Sequence, residues 1–124
     1  MTIDVNFLFP WAAFATKHKK NEVVFHKEEA AHFYYQIIDG GVKIYNSNIK
    51  GEKCTQGLFC AREGLGESPL FVDETYPCKG VTIKDSTILK LSKKDFLKII
   101  EDYPPIRKYF LLLLSKKIHS KSKN

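Results

Sequence analysis

The residues best suited to chemistry lie mid-chain, in Glu63-Gly64-Leu65-Gly66-Glu67-Ser68-Pro69-Leu70-Phe71, and run on through Tyr76-Pro77-Cys78-Lys79-Gly80. Two glycines flank a leucine, a carboxylate follows at once, and an apolar turn compatible with a helix comes next. Glycine lets the backbone approach a ligand closely, so backbone amides and one acid can converge on a small polar molecule. Leu65, Gly66, Glu67 and Ser68 are the first candidate contacts, Cys78 and Lys79 the second group, and Arg62 an additional contact from the other side. The same spacing also suits a plain glycine turn between two strands, and a Gly-x-Gly pattern alone does not separate the two readings.

Other chemistries are thinly served. Cys54, Cys60 and Cys78 are odd in number and form no Cys-x-x-Cys pair, which argues against a disulfide framework, a zinc site or an iron-sulfur site. They read as reduced thiols that fill core or loop positions. A jelly-roll enzyme of the cupin kind needs two or three histidines and a carboxylate on facing strands. Here His18 and His119 lie in basic stretches, His26 and His32 flank a loop, and no His-x-His pair exists. The expectation is a protein that is not an enzyme and holds no metal.

The net charge of +6 comes from 20 basic and 14 acidic residues, and much of the excess sits in Lys17-His18-Lys19-Lys20 and in the stretch from Lys116 to Lys123. Such clusters favour polyanions. No aromatic residue interleaves the C-terminal cluster, however, so a solvated helix end and a frayed tail are the simpler reading. With 44% hydrophobic residues the chain is too apolar for disorder, and its longest clean apolar run, Tyr109 to Leu114, is too short to span a bilayer. Met1-Thr2-Ile3-Asp4 carries no basic leader region, so a cytoplasmic protein with no membrane contact is expected.

The elements that must hold the central stretch follow from periodicity. A length of 124 residues suits one domain. Pro10, Trp11, Phe14 and Ala15 predict a short docking helix within an N-terminal helical segment, residues 1–20. Strand composition then runs over Glu22 to Phe25, Phe33 to Ile38, Val42 to Tyr45, Lys53 to Phe59, Val81 to Ile83 and Ile88 to Leu91. Asp39-Gly40-Gly41 predicts the tight turn of a hairpin, and Asn46 to Glu52 a polar loop. Six to eight short strands with turns about every ten residues predict a sandwich, barrel or jelly roll over residues 21–91.

Residues 92–119 change period. Ser92 is an N-cap with Asp95 three residues on, Phe96, Ile99 and Ile100 line one helix face, and Asp102-Tyr103-Pro104-Pro105 must end that helix. A second helix starts at the prolines; Ile106, Tyr109, Phe110, Leu113 and Ile118 mark one stripe, and Leu111, Leu112 and Leu114 widen it beyond what one sheet face covers. It is expected to pack on the sheets and on a second subunit, giving a homodimer; a helix wedged wholly within one monomer is the alternative. Residues 120–124 read as a tail.

Taken in order, these words resemble the cyclic-nucleotide-binding domain of the Crp/Fnr superfamily, the catabolite-activator and fumarate-nitrate regulators. Lys20 to Phe25 stands where the family has a strand entry, Phe33 to Tyr45 where it has a strand pair, and Leu65-Gly66-Glu67-Ser68-Pro69-Leu70-Phe71 where it has the phosphate-binding cassette. Tyr76-Pro77-Cys78, Asp85-Ser86 and Ser92 to Phe96 continue in register, so the resemblance covers nearly the whole chain. It implies a mainly β fold: an eight-stranded jelly-roll barrel, a cassette helix over its mouth, and a C-terminal helix that forms a dimer interface and relays ligand occupancy. It also implies that Gly66 and Glu67 meet a ribose, the carboxylate accepting from the 2′-hydroxyl. Cyclic AMP, cyclic GMP or another small anionic ligand is then the candidate effector.

Two departures fall on the phosphate side. The family's cassette arginine would lie near Tyr76 to Cys78, where none stands, and Pro69 has no N–H to offer at a position whose amide commonly faces the phosphate. At about 1.5 to 3 kcal/mol for each charge-assisted contact, losing two predicts binding weakened by roughly two to four decades. Lys79 replaces a bidentate fork only with a point charge. The chain also reaches Asn124 without the winged helix-turn-helix of the family's transcription regulators, so direct sequence-specific DNA binding by it is not expected. The alternative function is a ligand-free barrel that serves dimerisation or protein contact.

Overall fold

The apolar alternation in the middle of the chain builds two four-stranded antiparallel sheets. The structure is a computed structural model and describes residues 5–47 and 53–122. In the first sheet β1 (Phe14–His18), β8 (Ser86–Ser92), β3 (Phe33–Asp39) and β6 (Gly64–Leu65) lie side by side. The second holds β2 (Val23–Phe25), β7 (Lys79–Thr82), β4 (Gly41–Ser47) and β5 (Lys53–Cys60) in that order. This is the mainly β, jelly-roll-like plan with C-terminal helices that was expected. The sheets are not closed into a barrel, because each keeps its own two edge strands.

The strand β3 explains why its sequence reads as an apolar run and not as an alternation. Tyr34 stacks on Phe96 with ring centroids 4.8 Å apart and meets Phe110 edge-on at 5.7 Å, so this side faces α3 (Lys93–Asp102) and α4 (Pro104–Ser122). Its neighbour Tyr35 points the other way and stacks on Phe25 of the opposite sheet. Both faces of β3 are therefore covered, and the period-two signal of a half-exposed strand disappears. Gln36, buried on the helix side, accepts a hydrogen bond from the Tyr34 hydroxyl at 2.9 Å, which removes the cost of an unpaired amide oxygen there.

Asp39-Gly40-Gly41 does not close a hairpin. β3 pairs with β8 and β6, whereas β4 pairs with β5 and β7, so the chain crosses from one sheet to the other at Gly40. Gly40 has φ 109°, and a Cβ there would collide with Ser86, whose Oγ accepts from the Gly41 N–H at 3.1 Å. Turn residues specify a reversal; which strand comes alongside is decided by the burial each face demands. The hairpin of this region is instead β4 with β5, and the polar loop expected over Asn46 to Glu52 lies outside the described residues from Asn48 on.

The N-terminal segment also differs from expectation. Among its described residues helical geometry is confined to α1 (Val5–Leu8) and a 3-10 turn, Phe9–Trp11, and Ala12, with φ 64°, ends it. Phe14 and Ala15 then join β1, which pairs along β8 from Phe14↔Lys90 to His18↔Ser86. An open sheet edge offers this stretch a full ladder of hydrogen bonds, which outweighs the helical spacing of its aromatic residues. Docking itself is retained, since Phe7 and Trp11 meet Tyr103 edge-on at 5.1 and 6.0 Å.

The C-terminal elements follow the sequence closely. Ser92 Oγ accepts from the Asp95 N–H at 3.2 Å and caps α3, which buries Phe96 and Ile99 and ends at Tyr103 before the prolines. The helix α4 begins at Pro104 and runs to Ser122, past the boundary expected at residue 119. Among the described residues no helix is long and apolar enough to cross a membrane.

Candidate functional site

The segment after β6 turns sharply because Gly66 takes φ 75°, and a Cβ there would stand 3.2 Å from the Tyr76 ring. Glu67 then enters helical geometry and starts α2 (Ser68–Val72), with Pro69 in its first turn and Leu70 fully buried beneath it. Asp73 ends the helix in the left-handed region, and its N–H reaches the Pro69 carbonyl. The exposed Asp73 carboxylate is paired with Lys93 at the head of α3, which ties the short helix to the long helical layer.

Between this segment and the sheets lies a cavity of about 660 Å³, within the size range of small-molecule sites. Leu65, Gly66, Glu67, Ser68 and Pro69 form one wall, and Tyr76, Pro77 and Cys78 another. Phe25, Ile44 and Phe59 contribute the second sheet's inner surface, and α4 closes the cavity with Leu113 and Lys116. Tyr76 is fixed by stacking on Phe25 at 4.2 Å and by donating its hydroxyl to the Phe33 carbonyl at 3.1 Å.

Glu67 is buried, with 2% of its surface exposed. Its charge is felt across the cavity wall: burial pushes the Tyr34 and Tyr109 hydroxyls up from their ordinary range, and the Glu67 carboxylate raises both further. Burial likewise pushes Tyr76 up, with Tyr35 adding to it. These phenols stay protonated at neutral pH. Because Tyr109 is on α4, the field of Glu67 reaches from the α2 segment to the long helix.

Of the residues picked out in the sequence, Leu65, Gly66, Glu67, Ser68 and Cys78 are brought together on the cavity wall. Lys79 and Arg62 are not part of it. Lys79 sits in β7 opposite Tyr45, and Arg62 occupies the exposed turn after β5, where its N–H donates to the Ile37 carbonyl. The cation on the wall is Lys116, which sequence reasoning assigned only to a basic tail. A signal was available: Lys116 lies three residues after Leu113, so both occupy one helix face. Phe25, Ile44 and Phe59 were passed over because nothing local tells an inward strand residue that lines a void from one that fills it.

The expected dimer residues divide in a similar way. Phe110 is buried among Tyr34, Phe71, Phe96 and Tyr109, and Ile106, Tyr109 and Leu113 pack against the same core. They face their own sheet. Leu114 is half-buried, while Leu111, Leu112 and Ile118 are 63%, 51% and 67% exposed, so the open face of α4 is theirs. Among the described residues no three His, Cys, Asp or Glu side chains are grouped to hold a metal ion. Cys60 is exposed and its thiol donates to Glu63 Oε1 at 3.0 Å; Cys78 is buried, and the side chain of Cys54 lies outside the described residues.

Residues 15–103 match the family model described as cyclic nucleotide-binding domain. The chain belongs to that family. Among curated proteins, this cyclic nucleotide-binding domain is 21% identical over 101 residues to the cyclic AMP receptor protein of Thermus thermophilus, covering 82% of the chain but 47% of that protein. The chain thus spans about half the length of that relative. Its fold is that of the Thermus thermophilus catabolite activator protein, with a TM-score of 0.87, 19% identity, and 95% of this chain and 55% of that one covered. The sensor domain of the transcriptional regulator DNR from Pseudomonas aeruginosa is similar too, at a TM-score of 0.78, with 25% identity over 91% of this chain and 76% of that one. Within this cyclic nucleotide-binding domain the cavity wall that carries Gly66 and Glu67 also presents Pro69 and Pro77, two residues that cannot donate a backbone hydrogen bond.

Proposed function

We propose that this chain is a non-catalytic, cytoplasmic ligand-sensing domain of the Crp/Fnr type, whose effector is a small anionic molecule and whose response to cyclic AMP or cyclic GMP is weakened. One observation carries the reading: a single cavity is walled by both the Gly66-Glu67-Ser68 segment and α4. A ligand there touches both elements, so it can favour one arrangement of α4 over another, which is what sensing requires. Glu67 supplies an acceptor suited to a ribose hydroxyl. No arginine is on the wall, and Pro69 and Pro77 on it have no backbone N–H to offer a phosphate. The exposed face of Leu111, Leu112 and Ile118 supports a homodimer through α4. It also supports the alternative of a ligand-free interaction module, but an open cavity of about 660 Å³ favours the ligand reading.

Calorimetric titration with cyclic AMP and cyclic GMP tests this. Restoring a guanidinium with Pro77→Arg is expected to raise cyclic AMP affinity by roughly one to two decades, the value of one charge-assisted contact. Glu67→Ala is expected to abolish the remaining response to a ribose-bearing ligand, while Lys79→Ala changes little. An unaltered response in Glu67→Ala would mean that the loop is not a nucleotide site.

A further inference from the structure

The cavity's chemistry is more specific than its family. Its interior is formed by Phe25, Ile44, Phe59 and Leu65, and Pro69 and Pro77 on its wall offer no backbone N–H to a phosphate. Among the lining residues the charged side chains are two, Glu67 and Lys116. Glu67 is buried in the α2 segment and repels an anion, whereas Lys116 is exposed on α4, at the solvent side of the cavity. Any negative group is therefore drawn to α4 and away from the cassette, the reverse of a phosphate held by the loop.

We infer that the natural ligand is a small amphiphilic monoanion, an aromatic or aliphatic acid whose apolar body fills the space between Phe25, Ile44 and Phe59 and whose carboxylate pairs with Lys116. This rests on the cavity being an effector site, as proposed above. A carboxylate at Lys116 forms one charge-assisted hydrogen bond at a solvated rim, while the apolar body supplies burial. A hydroxyl or amine on the body would donate to Glu67, the acceptor at the other end. Since the anchor is on α4, loss of the acid's charge would uncouple occupancy from the position of that helix.

Calorimetric titration of the full chain with indole-3-acetate and with decanoate, beside cyclic AMP, decides the matter. At least one of the two acids is expected to bind more tightly than cyclic AMP. Lys116→Ala should weaken that acid about tenfold, as befits one exposed charge-assisted contact, while leaving the uncharged analogue, indole-3-acetamide or decanamide, unchanged. Filling the cavity with Ile44→Trp should abolish binding, the variant's melting profile being checked first; Cys78→Phe provides a second filled variant. Cyclic AMP binding with neither acid bound would overturn this inference and leave the nucleotide reading standing. Silence from all three ligands would overturn both. Acid binding that survives both filled variants, or that ignores Lys116→Ala, would place the ligand elsewhere and overturn the inference alone.

Discussion

At the residue scale, the contact between Asp73 and Lys93 joins the cap of α2 to the first residue of α3. Hydrogen bonding and charge from Lys93 hold the Asp73 carboxyl below its ordinary value of 3.8. A carboxylate depressed in the folded state contributes stability that is present above its unfolded pKa and is lost as pH falls through the folded one. Asp73→Asn is therefore expected to melt slightly below the wild type near neutral pH, and the gap should close in acid below the carboxylate range. Differential scanning calorimetry at several pH values reads this. The Asp73 side chain is 89% exposed, so the effect is small; asparagine suits the left-handed cap equally well, so a gap that persisted in acid would mean that the charge does not carry it.

At the element scale, α3 depends on its cap. Ser92 Oγ accepts from the Asp95 N–H, and Asp95 itself places a negative charge in the first turn. Ser92→Ala is expected to cost about 1 kcal/mol in urea unfolding, and Ser92→Thr much less. A Ser92→Ala protein of wild-type stability would show that tertiary packing alone starts the helix. The packing partner is known: Phe96 stacks on Tyr34 and meets Phe110 edge-on at 5.2 Å, so the first turn of α3 is anchored on the central strand. This aromatic cluster is also what turns Phe110 and Tyr109 inward and leaves Leu111 and Leu112 outside. A helix of apolar residues on several sides announces several partners, but its sequence does not say which side meets which.

At the scale of the whole molecule, the open face of α4 carries the assembly prediction. Light scattering is expected to give twice the chain mass for the wild type, and the chain mass itself for Leu111→Glu, which sets a charge on the exposed apolar face that Leu111 shares with Ile118. A monomeric wild type would sink the dimer reading. Leu111 does not line the cavity, so a ligand response retained in Leu111→Glu would separate sensing from assembly.

The sequence by itself determined what depends on near neighbours. Six of the strand-forming stretches, the Ser92 cap, the stop at Tyr103-Pro104 and the Gly66-Glu67 turn were legible, because each is a matter of local backbone preference. Only the tertiary structure decided what depends on residues far apart. The chain crosses between sheets at Gly40 because Ser86, 45 residues from Gly41 in sequence, receives the Gly41 N–H there. Phe14 and Ala15 become strand because the edge of β8 is open to them. Lys116 becomes the cavity's cation because the packing of Phe110 against Tyr34 fixes which face of α4 looks inward. Strand pairing and helix rotation are set by which surfaces must be buried together, and that requirement exists only once the whole chain has collapsed.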